Sequence, residues 1–133
     1  MQLPSETALA HAPHLHVGWA LILAGFLAGG LLGLGFHRES FLGGYPGFRR
    51  RLLRLGHVAL VALGMLNVLF ALTPCGDPGS AAEQIASVAL LTGAVAMPAT
   101  CGLVAWRPQL RHLFALPVLA LLTSVVSVLV HLP

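Results

Sequence analysis

The sequence contains no lysine and carries little charge of either sign. Its charged side chains amount to 8% of 133 residues, with 7 basic and 4 acidic ones. A soluble globular domain typically carries about 25% charged residues, so this chain does not belong to that class. Hydrophobic side chains make up 57%, and the mean hydropathy is +0.88. The composition therefore indicates a single membrane domain over residues 1–133, with the lipid bilayer as its solvent.

The sequence also lacks the motifs of the common enzyme classes. It has no phosphate-binding loop, no G-x-S-x-G elbow, no H-E-x-x-H pair and no paired carboxylates within an apolar segment. These absences argue against hydrolases, nucleotide-hydrolysing enzymes and pumps built on a carboxylate relay. We therefore expect a non-catalytic electron-transfer or accessory subunit rather than an enzyme.

Four long apolar segments follow one another along the chain, and each approximates the roughly 20 residues that a helix needs to cross a bilayer. Short connections make successive helices antiparallel neighbours, so the sequence predicts an all-α integral membrane protein, an up-down bundle of four transmembrane helices. The run Ser80-Ala81-Ala82-Glu83 fits a capping box at the start of the third helix. No basic segment precedes the first span, which is longer than the apolar core of a signal peptide, so we expect it to be retained. The predicted spans are 14–36, 52–73, 82–106 and 112–132.

The 7 arginines lie on one side of this topology. All of them fall in or beside the first and third connections, while the second connection and both termini have none. By the positive-inside rule the arginine side faces the cytoplasm, so both termini are expected outside. This distribution predicts the inner membrane of a bacterium, with periplasmic termini, and explains the basic balance without nucleic-acid binding. The arginines are Arg38, Arg49, Arg50, Arg51, Arg54, Arg107 and Arg111.

The 7 histidines are the strongest chemical signal in so apolar a chain, because ionisable residues within a membrane usually serve a function. His57 lies about one turn inside the second span, and His112 begins the fourth. The second and fourth helices lie diagonally across an up-down bundle, so these two imidazoles predict bis-histidine ligation of haem b. His37 lies near the same membrane face.

Asn67 lies near the middle of the second span and is a candidate contact for a quinone. The chain is then expected to be a small subunit of a respiratory or electron-transfer assembly, with other membrane subunits as partners. Its plan is similar in architecture to that of membrane cytochrome b subunits, without any residue-level motif in common.

A second hypothesis replaces haem by copper. Met97 and Cys101 stand at i and i+4 on one helix face, and soft sulfur ligands of this kind suit Cu(I). Such a chain would be a copper-handling membrane factor of the oxidase-assembly type. At the opposite membrane face, His11, His14 and His16 would converge with Cys75 or His131 on a periplasmic metal if residues 11–16 were unwound.

A third hypothesis assigns no cofactor and describes a purely structural membrane subunit. The histidines would then bond to backbone carbonyls or lipid phosphates, and Met97 and Cys101 would be ordinary core residues. The two cysteines are predicted at different depths, too far apart for a disulfide. Four glycines share one face of the first span, which favours close helix packing or leaves room for a flat cofactor. These glycines are Gly18, Gly25, Gly29 and Gly33.

Overall fold

The computed structural model describes residues 6–73 and 79–131, with side chains from residue 12 onward. Within these ranges every regular element is helical. Four helical segments are long and apolar enough to span a membrane, which fits the predicted four-helix bundle. The α-helices are α1 (Glu6–Gly35), α2 (Phe48–Leu72), α3 (Ala81–Trp106) and α4 (Ala115–His131), and two 3-10 helices cover Phe41–Gly43 and Pro108–Phe114.

The first two helices begin earlier than the predicted spans. α1 starts at Glu6 and continues through Pro13, because the alanine-rich segment before this proline itself favours helix. α2 starts at Phe48 with Gly47 as its N-cap, so that three consecutive arginines lie within its first turn. The arginines therefore belong to the helix and not to the connection before it.

The fourth α-helix begins later than predicted. Pro108 lies at the start of the 3-10 helix. An N–H at that position would have no partner within the helix, so proline removes no hydrogen bond there. The α-helix proper runs Ala115–His131, and Pro117 fits into its first turn for the same reason. The change from 3-10 to α geometry thus occurs inside the segment that the sequence predicted as one span.

Each helix packs antiparallel on the helix that follows it. On α2 the residue numbers of the contacts fall as those on α1 rise, which defines the antiparallel direction. α2 and α3 each pack on two neighbours and are the interior helices, whereas α1 and α4 are the outer ones. Along the first interface Gly18 lies against Gly64, Gly25 against Val61, and Gly29 against His57.

The helices α1 and α2 approach closely at Gly18 and Gly64. A Cβ atom on Gly64 would lie 2.7 Å from the carbonyl oxygen of Gly18, nearer than side chains come to backbone. Glycine at both positions is therefore what allows this approach. Gly25 and Gly29 also face α2, so the predicted packing of the glycine face is confirmed at three positions, whereas nothing lies within 4 Å of a Cβ on Gly33.

The first and third connections lie at the same end of the bundle. The Arg49 guanidinium carbon lies 5.2 Å from the ring centroid of Trp106, which joins the start of α2 to the end of α3. We call this the arginine end. A small core beside it contains Leu52, Val104 and Ala105, and a second core at the opposite end contains Phe70, Ala86 and Leu90.

The start of α3 has the capping box that the sequence predicts. The Ser80 hydroxyl oxygen accepts a hydrogen bond from the Glu83 backbone N–H at 3.3 Å. The Glu83 carboxylate accepts from the N–H of Gly79, one residue before the N–H that a capping box usually engages. Side chains within this first turn thus satisfy backbone donors that the helix itself leaves unpaired.

Candidate functional site

A buried polar network joins three helices in the half of the bundle away from the arginine end. His14 of α1 lies within hydrogen-bond distance of Asn67 of α2, with 2.8 Å between Nδ1 and Oδ1. Its other ring nitrogen, Nε2, lies 2.7 Å from the hydroxyl of Ser87 on α3. The exposed fractions of His14 and Asn67 are 1% and 0%. Two strongly polar side chains are therefore fully enclosed.

The direction of each hydrogen bond follows from Asn67. Its Nδ2 donates to the carbonyl oxygen of Leu63 at 2.8 Å, so its Oδ1 is the acceptor that faces His14. His14 Nδ1–H therefore donates to Asn67, and in the neutral ring Nε2 accepts from the Ser87 hydroxyl. The Phe70 ring, 4.5 Å away between centroids, packs against the imidazole.

The hydrogen bonds of this network connect the helices. They also use the polar atoms that a metal or another ligand would need. A metal ligand must offer a free nitrogen lone pair, and in the neutral ring the His14 lone pair accepts from Ser87. A quinone at Asn67 would have to displace either His14 or the Leu63 carbonyl. The predicted metal and quinone roles of these residues thus each require the breaking of an interhelical or backbone hydrogen bond.

A groove of about 300 Å³ opens between α1, α2 and α3 in the half nearer the arginine end, and His57 lies in its wall. The rest of the lining is aliphatic side chains, proline and glycine. Another groove, of about 250 Å³ between α2 and α4, has no ionisable side chain in its lining. The residues of the His57 groove are Ala28, Leu31, Leu32, Leu53, Gly56, His57, Leu60, Pro98 and Gly102.

His57 packs against α1 at Gly29. A Cβ on Gly29 would lie 3.1 Å from Cδ2 and 3.4 Å from Nε2 of the imidazole, so the ring edge lies directly against the α1 backbone. Gly56, the preceding residue, lets Cys101 of α3 approach α2. The Nδ1 atom of His57 is buried and has no hydrogen-bond partner among the described residues. An imidazole in an apolar wall thus keeps unused hydrogen-bonding capacity.

The other residues of the predicted haem site lie elsewhere. His112 is exposed on the 3-10 helix Pro108–Phe114 and is absent from the lining of the His57 groove. His37 is exposed in the first connection. The groove therefore offers one imidazole, and haem b between His57 and His112 stays a prediction.

The predicted metal ligands are likewise dispersed. His16 and His131 are exposed, and each ring lies against a backbone carbonyl of its own helix, that of Ala12 and that of Ser127. Cys75 lies outside the described residues. Within the described part of the chain, no group of three or more His, Cys, Asp and Glu side chains could hold a metal ion.

The two sulfur residues of α3 differ in their surroundings. Cys101 is fully buried as a free thiol, and its Cβ lies 3.2 Å from where a Cβ of Gly56 would stand. Met97 is half-buried. The position of Cys101 is explained by close packing of α3 on α2, and copper binding by this pair stays a prediction.

Sequence reasoning missed Ser87 and Arg50. Ser87 lies on the buried face of α3 one turn after Glu83, at a depth similar to that of Asn67, and this match in depth was the available signal. Arg50 was predicted only as one of the arginines on the cytoplasmic side, but it is 7% exposed, and its guanidinium lies over the ring of Phe36. Nothing in the local sequence distinguishes Arg50 from its neighbouring arginines.

Comparisons with protein-family models, with characterised proteins and with solved structures found no match to this chain.

Proposed function

We propose that this chain is a small multi-pass membrane subunit of an electron-transfer assembly and that it holds a quinone-type ligand beside His57. The observation that carries this proposal is the groove between α1, α2 and α3, whose lining has one polar side chain, that of His57. An apolar groove with one hydrogen-bonding group suits a flat, apolar ligand with a carbonyl acceptor.

Membrane insertion is supported by the four apolar helices and by their exposed surfaces. Large apolar side chains lie exposed along both outer helices, and a soluble monomer rarely exposes so large an apolar surface. On α1 these include Trp19, Leu23, Phe26, Leu27, Leu31 and Leu34, and on α4 they include Leu119, Leu122, Val126, Leu129 and Val130. The collection of the arginines at one end supports a cytoplasmic arginine end and periplasmic termini in a bacterial inner membrane.

The residues that line this groove suit a quinone better than they suit haem. Bis-histidine haem needs two imidazoles that face one space, and His57 is the one histidine among the lining residues of the groove. A quinone needs only a hydrogen-bond donor, which an imidazole N–H supplies to a carbonyl oxygen. It could enter from the bilayer through the open side of the groove. Partner subunits of the assembly would supply the electrons.

The test is ligand retention by the full chain, purified in detergent and reconstituted in lipid nanodiscs. Ubiquinone and menaquinone analogues with short tails are titrated, and binding is followed by quinone fluorescence quenching and by extraction. We expect His57→Leu to weaken binding about tenfold, the effect of about 1.4 kcal/mol lost with one hydrogen bond. His112→Leu is the control and should leave binding unchanged.

The same preparation tests the other hypotheses. A reducible Soret band that is lost in both His57→Ala and His112→Ala would replace the quinone by haem b. Copper in stoichiometric amount that is lost with Cys101→Ser would favour the copper-handling factor. A colourless, metal-free protein that binds no quinone in the presence of its partner subunits would leave a purely structural subunit as the function.

A further inference from the structure

The first turns of α2 concentrate positive charge. Four arginines occupy positions 49, 50, 51 and 54, and the first turn of the helix has no acidic residue. The N-terminus of a helix already carries partial positive charge, so cations there are unfavourable. No hydrogen bond or ion pair joins these arginine side chains to any other described residue, although several stack on aromatic rings.

Arg50 is the most unusual member of this group. It is 93% buried, since its exposed fraction is 7%, and its Nε atom is buried without a hydrogen-bond partner among the described residues. Its guanidinium carbon lies 4.0 Å from the ring centroid of Phe36 and 5.6 Å from that of Tyr45. An arginine that is buried so far usually donates to an acceptor.

Tyr45 brings a second arginine to the same place. The guanidinium carbon of Arg54 lies 5.1 Å from the Tyr45 ring centroid, so Arg50 and Arg54 stack on one exposed ring. A guanidinium that stacks on a ring face keeps its in-plane N–H groups for other acceptors. Two such groups, one in the first turn of α2 and one in the second, match the oxygens of a phosphate.

We propose that Arg50, Arg54 and Tyr45 form a binding site for the phosphate of an anionic lipid in the cytoplasmic leaflet. The site rests on the membrane insertion and orientation given under the proposed function. A lipid is favoured over free phosphate because apolar surface adjoins the cluster. Leu55 and Val58 are exposed on the next turn, and Leu53 lines the His57 groove. Acyl chains can therefore lie along α2 while the headgroup contacts the arginines.

The experiment is native mass spectrometry of the delipidated full chain, titrated with phosphatidylglycerol or phosphatidylcholine in detergent. We expect the wild type to retain phosphatidylglycerol and Arg54→Gln to weaken that retention about tenfold, as loss of a charge-assisted contact would. Arg50→Lys keeps the charge but removes the planar fork and should weaken retention as well. Arg111→Gln removes one exposed charge from the same end and should change retention by less than about twofold.

Equal loss in Arg54→Gln and Arg111→Gln would overturn the site, because retention would then follow net charge. Equal retention of the two lipids by the wild type would overturn it as well. Displacement of phosphatidylglycerol by inorganic phosphate would overturn the lipid assignment. Quinone binding should be unchanged in Arg54→Gln, so failure of lipid selectivity in an inserted protein affects this inference alone. Release of the wild type from membranes by alkaline carbonate would overturn both proposals.

Discussion

His14 and Asn67 lie at the centre of a hydrogen-bond network that three helices share. Its side chain accepts from His14 of α1 and donates to the backbone of its own helix, while His14 continues to Ser87 of α3. In a bilayer such bonds hold helices together because no water competes for them, although each contributes only about 0.6 kcal/mol on average. These bonds engage both ring nitrogens of His14 and the side chain of Asn67, so both residues contribute to the packing of the helices.

Replacement of Asn67 tests this role. Asn67→Leu keeps the volume but leaves the buried His14 Nδ1–H without its acceptor, so we expect a loss of about 1–2 kcal/mol in the free energy of unfolding. The measurement is unfolding in mixed micelles followed by circular dichroism. Thr92→Val is the matched control, because the Thr92 hydroxyl donates only to Val88 of its own helix and is exposed. Equal stability of the two variants would show that the network contributes nothing.

At the level of the helix, the α1–α2 interface depends on backbone contact. Gly64→Ala would place a Cβ 2.7 Å from the Gly18 carbonyl oxygen, and a backbone atom cannot rotate away as a side chain can. The helices must then separate, and we expect a loss of about 1–3 kcal/mol in stability. The same micelle unfolding assay measures it.

Gly30 supplies the control for that substitution, because nothing lies within 4 Å of a Cβ at this position. Gly30→Ala should leave stability unchanged or raise it by up to about 1 kcal/mol, the gain expected from replacing glycine in a helix. If Gly64→Ala were as stable as Gly30→Ala, the close approach of α1 and α2 would be wrong.

The capping box should contribute to the stability of α3. Ser80→Ala removes the acceptor of the Glu83 N–H and should cost about 1 kcal/mol. Ser80→Asp retains an acceptor at the same position and should restore most of that stability, as measured by thermal unfolding. A Ser80→Asp variant as unstable as Ser80→Ala would show that the hydroxyl bond is not what stabilises this helix start.

For the whole molecule, orientation is the property that decides which compartment each site faces. A reporter active only in the periplasm and fused after Pro133 should be active, because the arginines in and beside the first and third connections are expected to stay in the cytoplasm. A reporter that is active only in the cytoplasm should be active when it is inserted in the first connection after Gly44, and a periplasmic reporter should be inactive there. The opposite pattern would invert the molecule and move the proposed lipid site to the outer leaflet.

Thiol labelling gives an independent test of the same topology. Cys101 has an exposed fraction of 0%, whereas Cys75 belongs to the polar connection between the second and third spans. In intact cells a membrane-impermeant maleimide should label the Cys101→Ala variant and spare Cys75→Ala. Labelling of Cys101 would mean that α3 lines a water-filled path.

The sequence alone determined the properties that depend on local composition: the apolar character, the number of long helices, the gathering of arginines at one end and the capping box at Ser80. It also identified His57 and Asn67 as polar residues in apolar surroundings. Only the tertiary structure decided their partners. Partner choice depends on the rotation of each helix about its axis, and leucine, valine and alanine around most of each circumference leave that rotation undetermined. The Gly18–Gly64 approach fixes the rotation of α1 against α2 and brings His14 to Asn67, while the contact of Gly56 with Cys101 packs α3 on α2, with Ser87 at His14. His57 then lines a groove in which His112 has no part.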